Sequence, residues 1–265
     1  MDVTMLALAG IFAGVMSGLL GIGGGALIVP VLVIVFEAQQ VAPDVIMHAA
    51  LGTSLATIIF TAMSSTLAHH RVGAVDWAIF RRIAPAIVIG TLLGAALADQ
   101  LSSRTLKALF VIFMFGIALQ MARGTSATRA HAKLPGATGM NMAGGIIGIA
   151  SALFGIGGGS LSVPFMTWCS VPVKRAVATA AAIGVPLAIS GAVGYLVAGL
   201  NAPNRPAGSV GYIVLPAFAA IVVASAVAAP LGARLAHKLS DVVLRRVFAV
   251  FVALLGLRML WGLVQ

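Results

Sequence analysis

With 265 residues, 61% of them hydrophobic and only 8% charged, the chain carries more apolar surface than a soluble fold could bury. Its net charge of +10 does not point to nucleic acid, because the 16 Lys and Arg lie almost wholly in short segments between apolar runs. An integral membrane protein is expected, all-α and polytopic.

Apolar stretches run at about 4–36, 45–68, 78–98, 106–121, 139–168, 176–199, 209–236 and 243–263. Roughly 20 residues suffice to span a bilayer as helix, so the raw count is eight segments, four in each half of the chain. The start, Met1-Asp2 without a basic flank, leads into an apolar run longer than a signal peptide needs, and is expected to belong to the fold. The single cysteine, Cys169, makes no intrachain disulfide and is expected to be packing. No Cys/His cluster has metal-ligand spacing, so neither a metal nor another cofactor is expected.

The first stretch contains Ser17-Gly18-Leu19-Leu20-Gly21-Ile22-Gly23-Gly24-Gly25-Ala26-Leu27-Ile28-Val29-Pro30. The fifth answers it 134 positions later with Ser151-Ala152-Leu153-Phe154-Gly155-Ile156-Gly157-Gly158-Gly159-Ser160-Leu161-Ser162-Val163-Pro164. The third stretch ends in Leu93-Gly94-Ala95-Ala96-Leu97-Ala98, matched by Leu231-Gly232-Ala233-Arg234-Leu235-Ala236, and Thr53 answers Thr179. Two homologous halves are therefore expected, 1–121 and 139–265, joined by a linker at 122–138.

Charge then tests the topology. If all eight stretches crossed once, the Lys and Arg would divide eight against eight, leaving no orientation signal. If the two GIGGG stretches each enter and return on one side, Arg71, Arg81, Arg82, Arg123, Arg129, Lys133, Lys174, Arg175, Arg234, Lys238, Arg245 and Arg246 share a face. Only Arg104, Lys107, Arg205 and Arg258 stay opposite, a split of twelve to four. An odd number of crossings per half makes the two halves an inverted repeat, with the linker cytoplasmic and both termini on the outer side. A re-entrant hairpin and two short crossings joined by a glycine turn give the same parity.

Each glycine in a helix costs on the order of 1 kcal/mol against Ala, so a doubled GIGGG run reads as a backbone device. Pro30 and Pro164 interrupt the apolar segment after each run. Non-helical backbone at membrane depth survives only where it is buried in protein or lines a wet cavity. Two inverted broken segments meeting near the midplane are the usual plan of a secondary transporter's binding site.

The doubled GxGGGxxxxP pattern, each copy opening its half, with Ala50-Leu51-Gly52-Thr53-Ser54-Leu55 after the first copy, resembles the sulfite exporter TauE/SafE family over nearly the whole chain. The resemblance implies a bacterial inner-membrane permease, not an enzyme, that moves sulfite, organosulfonates or related small anions. The second half departs from the pattern, with Ala178-Thr179-Ala180 in place of Gly-Thr-Ser.

Glycines let a ligand approach the backbone, and peptide N–H groups at a half-helix N-terminus suit an oxyanion without any side-chain cation. The candidate substrate-binding residues are Gly21, Gly23, Gly24, Gly25, Gly155, Gly157, Gly158 and Gly159, with the hydroxyls of Thr53, Ser54, Thr57, Thr179 and Ser160. For the glycines close helix packing is the other reading, and for the hydroxyls a bond to their own helix carbonyl. His48 and Asn141 are candidates for a proton or polar relay, Asn141 placed deep in the fifth stretch. The six acids all sit at segment edges, which leaves no intramembrane carboxylate relay. The expected function is export of a small anion, with lipid as the surroundings; a structural or sensory membrane subunit and a proton-coupled anion uptake permease are the alternatives.

Overall fold

The computed structural model describes residues 6–8, 10–11, 14–15, 25–123, 133–236 and 241–264; Gly21, Gly23 and Gly24 of the first glycine run and Arg129 and Lys238 lie outside the described residues. The helices are α1 (Gly25–Ala38), α2 (Ile46–Arg71), α3 (Trp77–Gln100), α4 (Ser103–Arg123), α5 (Ala137–Phe154), α6 (Gly159–Trp168), α7 (Val173–Ala198), α8 (Leu215–Ala236) and α9 (Asp241–Val264). Ahead of α8, β1 (Ser209–Val210) and β2 (Ile213–Val214) pair as a short antiparallel hairpin, Ser209 opposite Val214. Five helices, α2, α3, α5, α7 and Ser103–Met121 of α4, are long and apolar enough to cross a membrane. The chain is thus an all-α polytopic membrane protein, and the fifth apolar stretch is divided into α5 and α6 by its glycine run.

The centre of the bundle is the pair α2 and α7. Every residue of α2 from Ile46 to Ile58 is buried, and α7 is buried along Ala178, Thr179, Ala182, Ile183, Leu187, Gly191 and Tyr195. Their polar side chains, His48, Thr53, Ser54, Thr57 and Thr179, are thereby kept away from lipid. The two run antiparallel: Gly52 lies against Tyr195, Leu55 against Gly191 and Ala62 against Gly184.

Around this pair the halves exchange helices. A methyl group at Gly144 would lie 2.9 Å from the Ile83 carbonyl oxygen and 3.0 Å from the Ala86 Cβ; one at Gly10 would lie 3.0 Å from the Ile221 Cα and 2.7 Å from the Ala224 Cβ. One turn on, Gly148 touches Ile87 and Gly90, and Gly14 touches Ser225 and Ala228. Gly10 and Gly14 precede the first glycine run as Gly144 and Gly148 precede the second, and Ile83, Ala86, Ile87 and Gly90 precede the Leu-Gly-Ala match as Ile221, Ala224, Ser225 and Ala228 do. The segment opening each half therefore packs on the third helix of the other. Lipid supplies no hydrophobic drive between helices, so glycines four apart, which let backbones meet, hold these seams.

Two hydroxyls repeat the exchange. Thr53 Oγ1 accepts from the backbone N–H of Val214 at 3.0 Å, just ahead of α8, and Thr179 Oγ1 accepts from that of Asp76 at 2.9 Å, just ahead of α3. Asp76 also caps α3 through Oδ1, which accepts from the N–H groups of Ala78 and Ile79.

These contacts place the ends of the helices. Asp76 meets the second turn of α7, and Gly144 near the start of α5 meets the first turns of α3. The α5–α6 pair therefore enters and leaves the bundle at the end where α3 and α7 begin. That end carries Arg71, Arg81, Arg82, Lys133, Lys174 and Arg175, and the other carries Arg104, Lys107, Arg205 and Arg258. At the latter Glu37, at the tail of α1, binds Lys107 Nζ at 2.7 Å and Arg258 Nη2 at 3.2 Å. Lys107 is buried, and that pairing is what makes an ammonium tolerable there. Arg258 closes this triad.

Candidate permeation site at the second glycine break

Helix α5 stops at Gly155, whose φ of +58° is a left-handed conformation that side chains rarely adopt. Its N–H and that of Ile156 close the helix on the carbonyls of Ala152 and Ser151, at 3.3 and 3.1 Å. Gly158 caps α6, and the N–H of Ser162 donates to its carbonyl at 2.9 Å. Gly155–Gly158 is thus a sharp break joining the 18-residue α5 to the 10-residue α6.

Three other helices hold it. Ser54 Oγ of α2 donates to the Gly155 carbonyl at 2.8 Å, and the Tyr195 hydroxyl of α7 donates to the Ala152 carbonyl at 3.0 Å. A Cβ at Gly155 would lie 2.8 Å from both Val29 of α1 and Leu51 of α2, and one at Gly158 would lie 2.9 Å from the Ala180 carbonyl oxygen and 3.0 Å from the Gly184 nitrogen of α7. No residue larger than glycine fits either position. The break sits partway along α2 and α7, between Leu51 and Ile58 of one and Ala180 and Gly184 of the other. The first three N–H groups of α6, on Gly159, Ser160 and Leu161, have no partner within the helix and carry the positive end of its dipole. The described Lys and Arg lie at the helix ends, so the local field at the break comes from peptide groups.

The hydroxyls read from the sequence fall into distinct places. Thr53, Ser54, Thr57 and Thr179 are all buried. Ser54 grips the break, Thr57 Oγ1 bonds its own helix at the Ser54 carbonyl (2.7 Å), and Thr53 and Thr179 anchor the loops of the opposite half. Ser160 is half-buried in the first turn of α6, and Gly25 is the first residue of α1. His48 is buried away from the break: Nε2 lies 3.0 Å from the Ala98 carbonyl, which makes it the protonated nitrogen, and the ring stacks on Tyr212 at 4.9 Å. Asn141, expected deep between helices, is exposed, because α5 begins at Ala137 and the residue lies only one turn in. Tyr195 and Tyr212 were not legible as partners, since their contacts are set by tertiary packing. Tyr212 donates to Asp99 Oδ1 at 3.1 Å, and burial with the Asp99 carboxylate pushes its phenol up to about 12. Burial likewise raises the Cys169 thiol, which stays protonated in its loop. An apolar hollow of about 270 Å³ between α2, α7 and α8 and a polar one of about 340 Å³ at Asn204 and Arg205 are lined by no residue of the break.

The sequence matches the model of the sulfite exporter TauE/SafE family over residues 6–259. The chain belongs to this family. A "Probable membrane transporter protein" of Haemophilus influenzae is 34% identical over 257 residues, 97% of each chain. One from Methanocaldococcus jannaschii is 29% identical, covering 97% of this chain and 94% of its own, and YunE of Bacillus subtilis is 33% identical over 75% and 80%. No solved structure matches. The TauE/SafE protein described here is accordingly a multi-pass membrane transporter.

Proposed function

We propose that this transporter exports a small anion, sulfite or an organosulfonate, across the bacterial inner membrane by way of the break between α5 and α6. The observation that carries the reading is the fixed α6 N-terminus, whose free N–H groups lie where α1, α2 and α7 meet the glycines. Backbone donors at a helix N-terminus bind oxyanions without a buried cation. The first glycine run, Gly21 to Gly25, is the sequence counterpart of this break.

The orientation follows from charge. Positive residues gather on the cytoplasmic side, so the end with Lys133, Lys174 and Arg175 faces the cytoplasm, together with the linker at 122–138, and both termini face outward. The antiparallel run of α2 and α7 and the exchanged glycine seams support halves 1–121 and 139–265 related as an inverted repeat. Anion exit from a negative interior is favourable by about 2.3 kcal/mol per charge per 100 mV, which removes the need for a coupled ion. In proteoliposomes loaded with radiolabelled sulfite, an inside-negative potential at equal pH accelerates efflux; efflux no faster than from protein-free vesicles rejects the reading.

One observation favours a second reading, proton coupling. His48 Nδ1 is buried without a hydrogen-bond partner, leaving a free base at the outer end of α2. Efflux that follows a pH difference, ignores the potential and loses both behaviours in His48→Ala selects this alternative.

A further inference from the structure

Among the described residues, Ser151 and Ser162 are fully buried hydroxyls with no hydrogen-bond partner. An unpaired buried hydroxyl costs about 1–3 kcal/mol, and such a group in a native fold calls for a ligand or water that satisfies it. Ser151 stands four residues before Gly155, and Ser162 four after Gly158.

Helix geometry separates the two. Every Cα–Cβ bond in an α-helix tilts toward the N-terminus. On α6 that tilt carries Ser162 toward the break; on α5 it carries Ser151 away, toward Gly148. Ser162 also lies one turn beyond Gly158 on the same face, as its N–H bond to the Gly158 carbonyl requires. Its hydroxyl therefore leans toward the first turn of α6, where three peptide N–H groups are free of intrahelical partners. The position answering Ser162 in the first half is Ile28, apolar and buried at 3% exposure.

We propose that Ser162 Oγ is a direct ligand of the transported anion, donating its proton to one oxygen while N–H groups of Gly159 to Leu161 take another. This rests on the transport reading above and deepens it: the ligand is an oxyanion with at least two acceptor oxygens, gripped by neutral donors, and the grip is one-sided because Ile28 has nothing to offer.

The test uses the full chain in proteoliposomes with radiolabelled sulfite. Ser162→Ala raises KM about tenfold or more, the loss expected for a hydrogen bond to a charged group, with maximal velocity within about twofold. Ser162→Cys, close in volume and a weaker donor, gives a smaller rise and serves if the alanine variant folds poorly. Ser151→Ala, equally buried and facing away, leaves KM unchanged. Unchanged KM in both Ser162 variants, a fall in velocity at constant KM, or an equal KM rise in Ser151→Ala overturns the proposal. Wild-type vesicles that pass no sulfite, organosulfonate or thiosulfate are the separate failure of the transport reading, and the Ser162 assignment falls with it.

Discussion

Helices α1 and α6 each come directly after a glycine run and each contain a proline six residues into the helix, Pro30 and Pro164. Their surroundings differ. Leu27, Ile28, Val29, Leu32, Val33 and Phe36 of α1 are buried in the apolar core, and Glu37 fastens the tail to Lys107 and Arg258. α6 is only 10 residues long, buries Ser162 and Met166, and carries hydroxyls at Ser160, Ser162 and Thr167. The glycine run and the proline recur in both, while the side chains differ: α1 packs into the apolar core, and α6 carries hydroxyls.

The largest effect expected from breaking this difference is at Gly158. Gly158→Val drives a branched side chain into the Ala180 carbonyl and the Gly184 nitrogen. Flux should fall to background while the protein still inserts, read by transport and by membrane fractionation. Retained flux would reduce the second run to ordinary packing.

Ser54→Ala comes next. It releases the Gly155 carbonyl, a buried acceptor with no α-helical donor, at a cost of about 1–3 kcal/mol. Sulfite flux should drop several-fold, with a lower melting temperature in detergent. Thr53→Val and Thr179→Val should behave as a matched pair, each losing one loop anchor, about 1–3 kcal/mol of stability and no sulfite affinity. A raised KM without loss of stability would instead make the threonine a lining residue.

The smallest effect concerns Tyr212. Its phenol is raised from about 10 in the unfolded chain to about 12, so the protonated form is favoured by the fold. That contribution is complete below pH 10 and is lost as pH rises through 12. Thermal melts should therefore lose stability between pH 10 and 12, and Tyr212→Phe should flatten that part of the profile.

Much of this was legible in the sequence. The second glycine run, needing a left-handed Gly155 and a close-packed Gly158, announced the break, and the equivalence of Thr53 and Thr179 was visible in the repeat. Their partners were not, because each hydroxyl reaches across to the other half, more than 100 residues away. Pairs such as Gly10 with Gly14 and Gly144 with Gly148 carry the small-xxx-small signal of close helices, but not which helix they meet. The burial of Lys107 was equally hidden, since only the fold brings Glu37 to it.

Whether the anion passes α6 and not α1 is tested most directly by cysteine protection. In a Cys169→Ala background, Ser160→Cys in the first turn of α6 should react with a membrane-impermeant thiol reagent as the transporter cycles, and sulfite should slow that reaction. Ile28→Cys in α1 should stay unlabelled with or without sulfite. Sulfite-protected labelling at Ile28→Cys, with none at Ser160→Cys, would contradict the account.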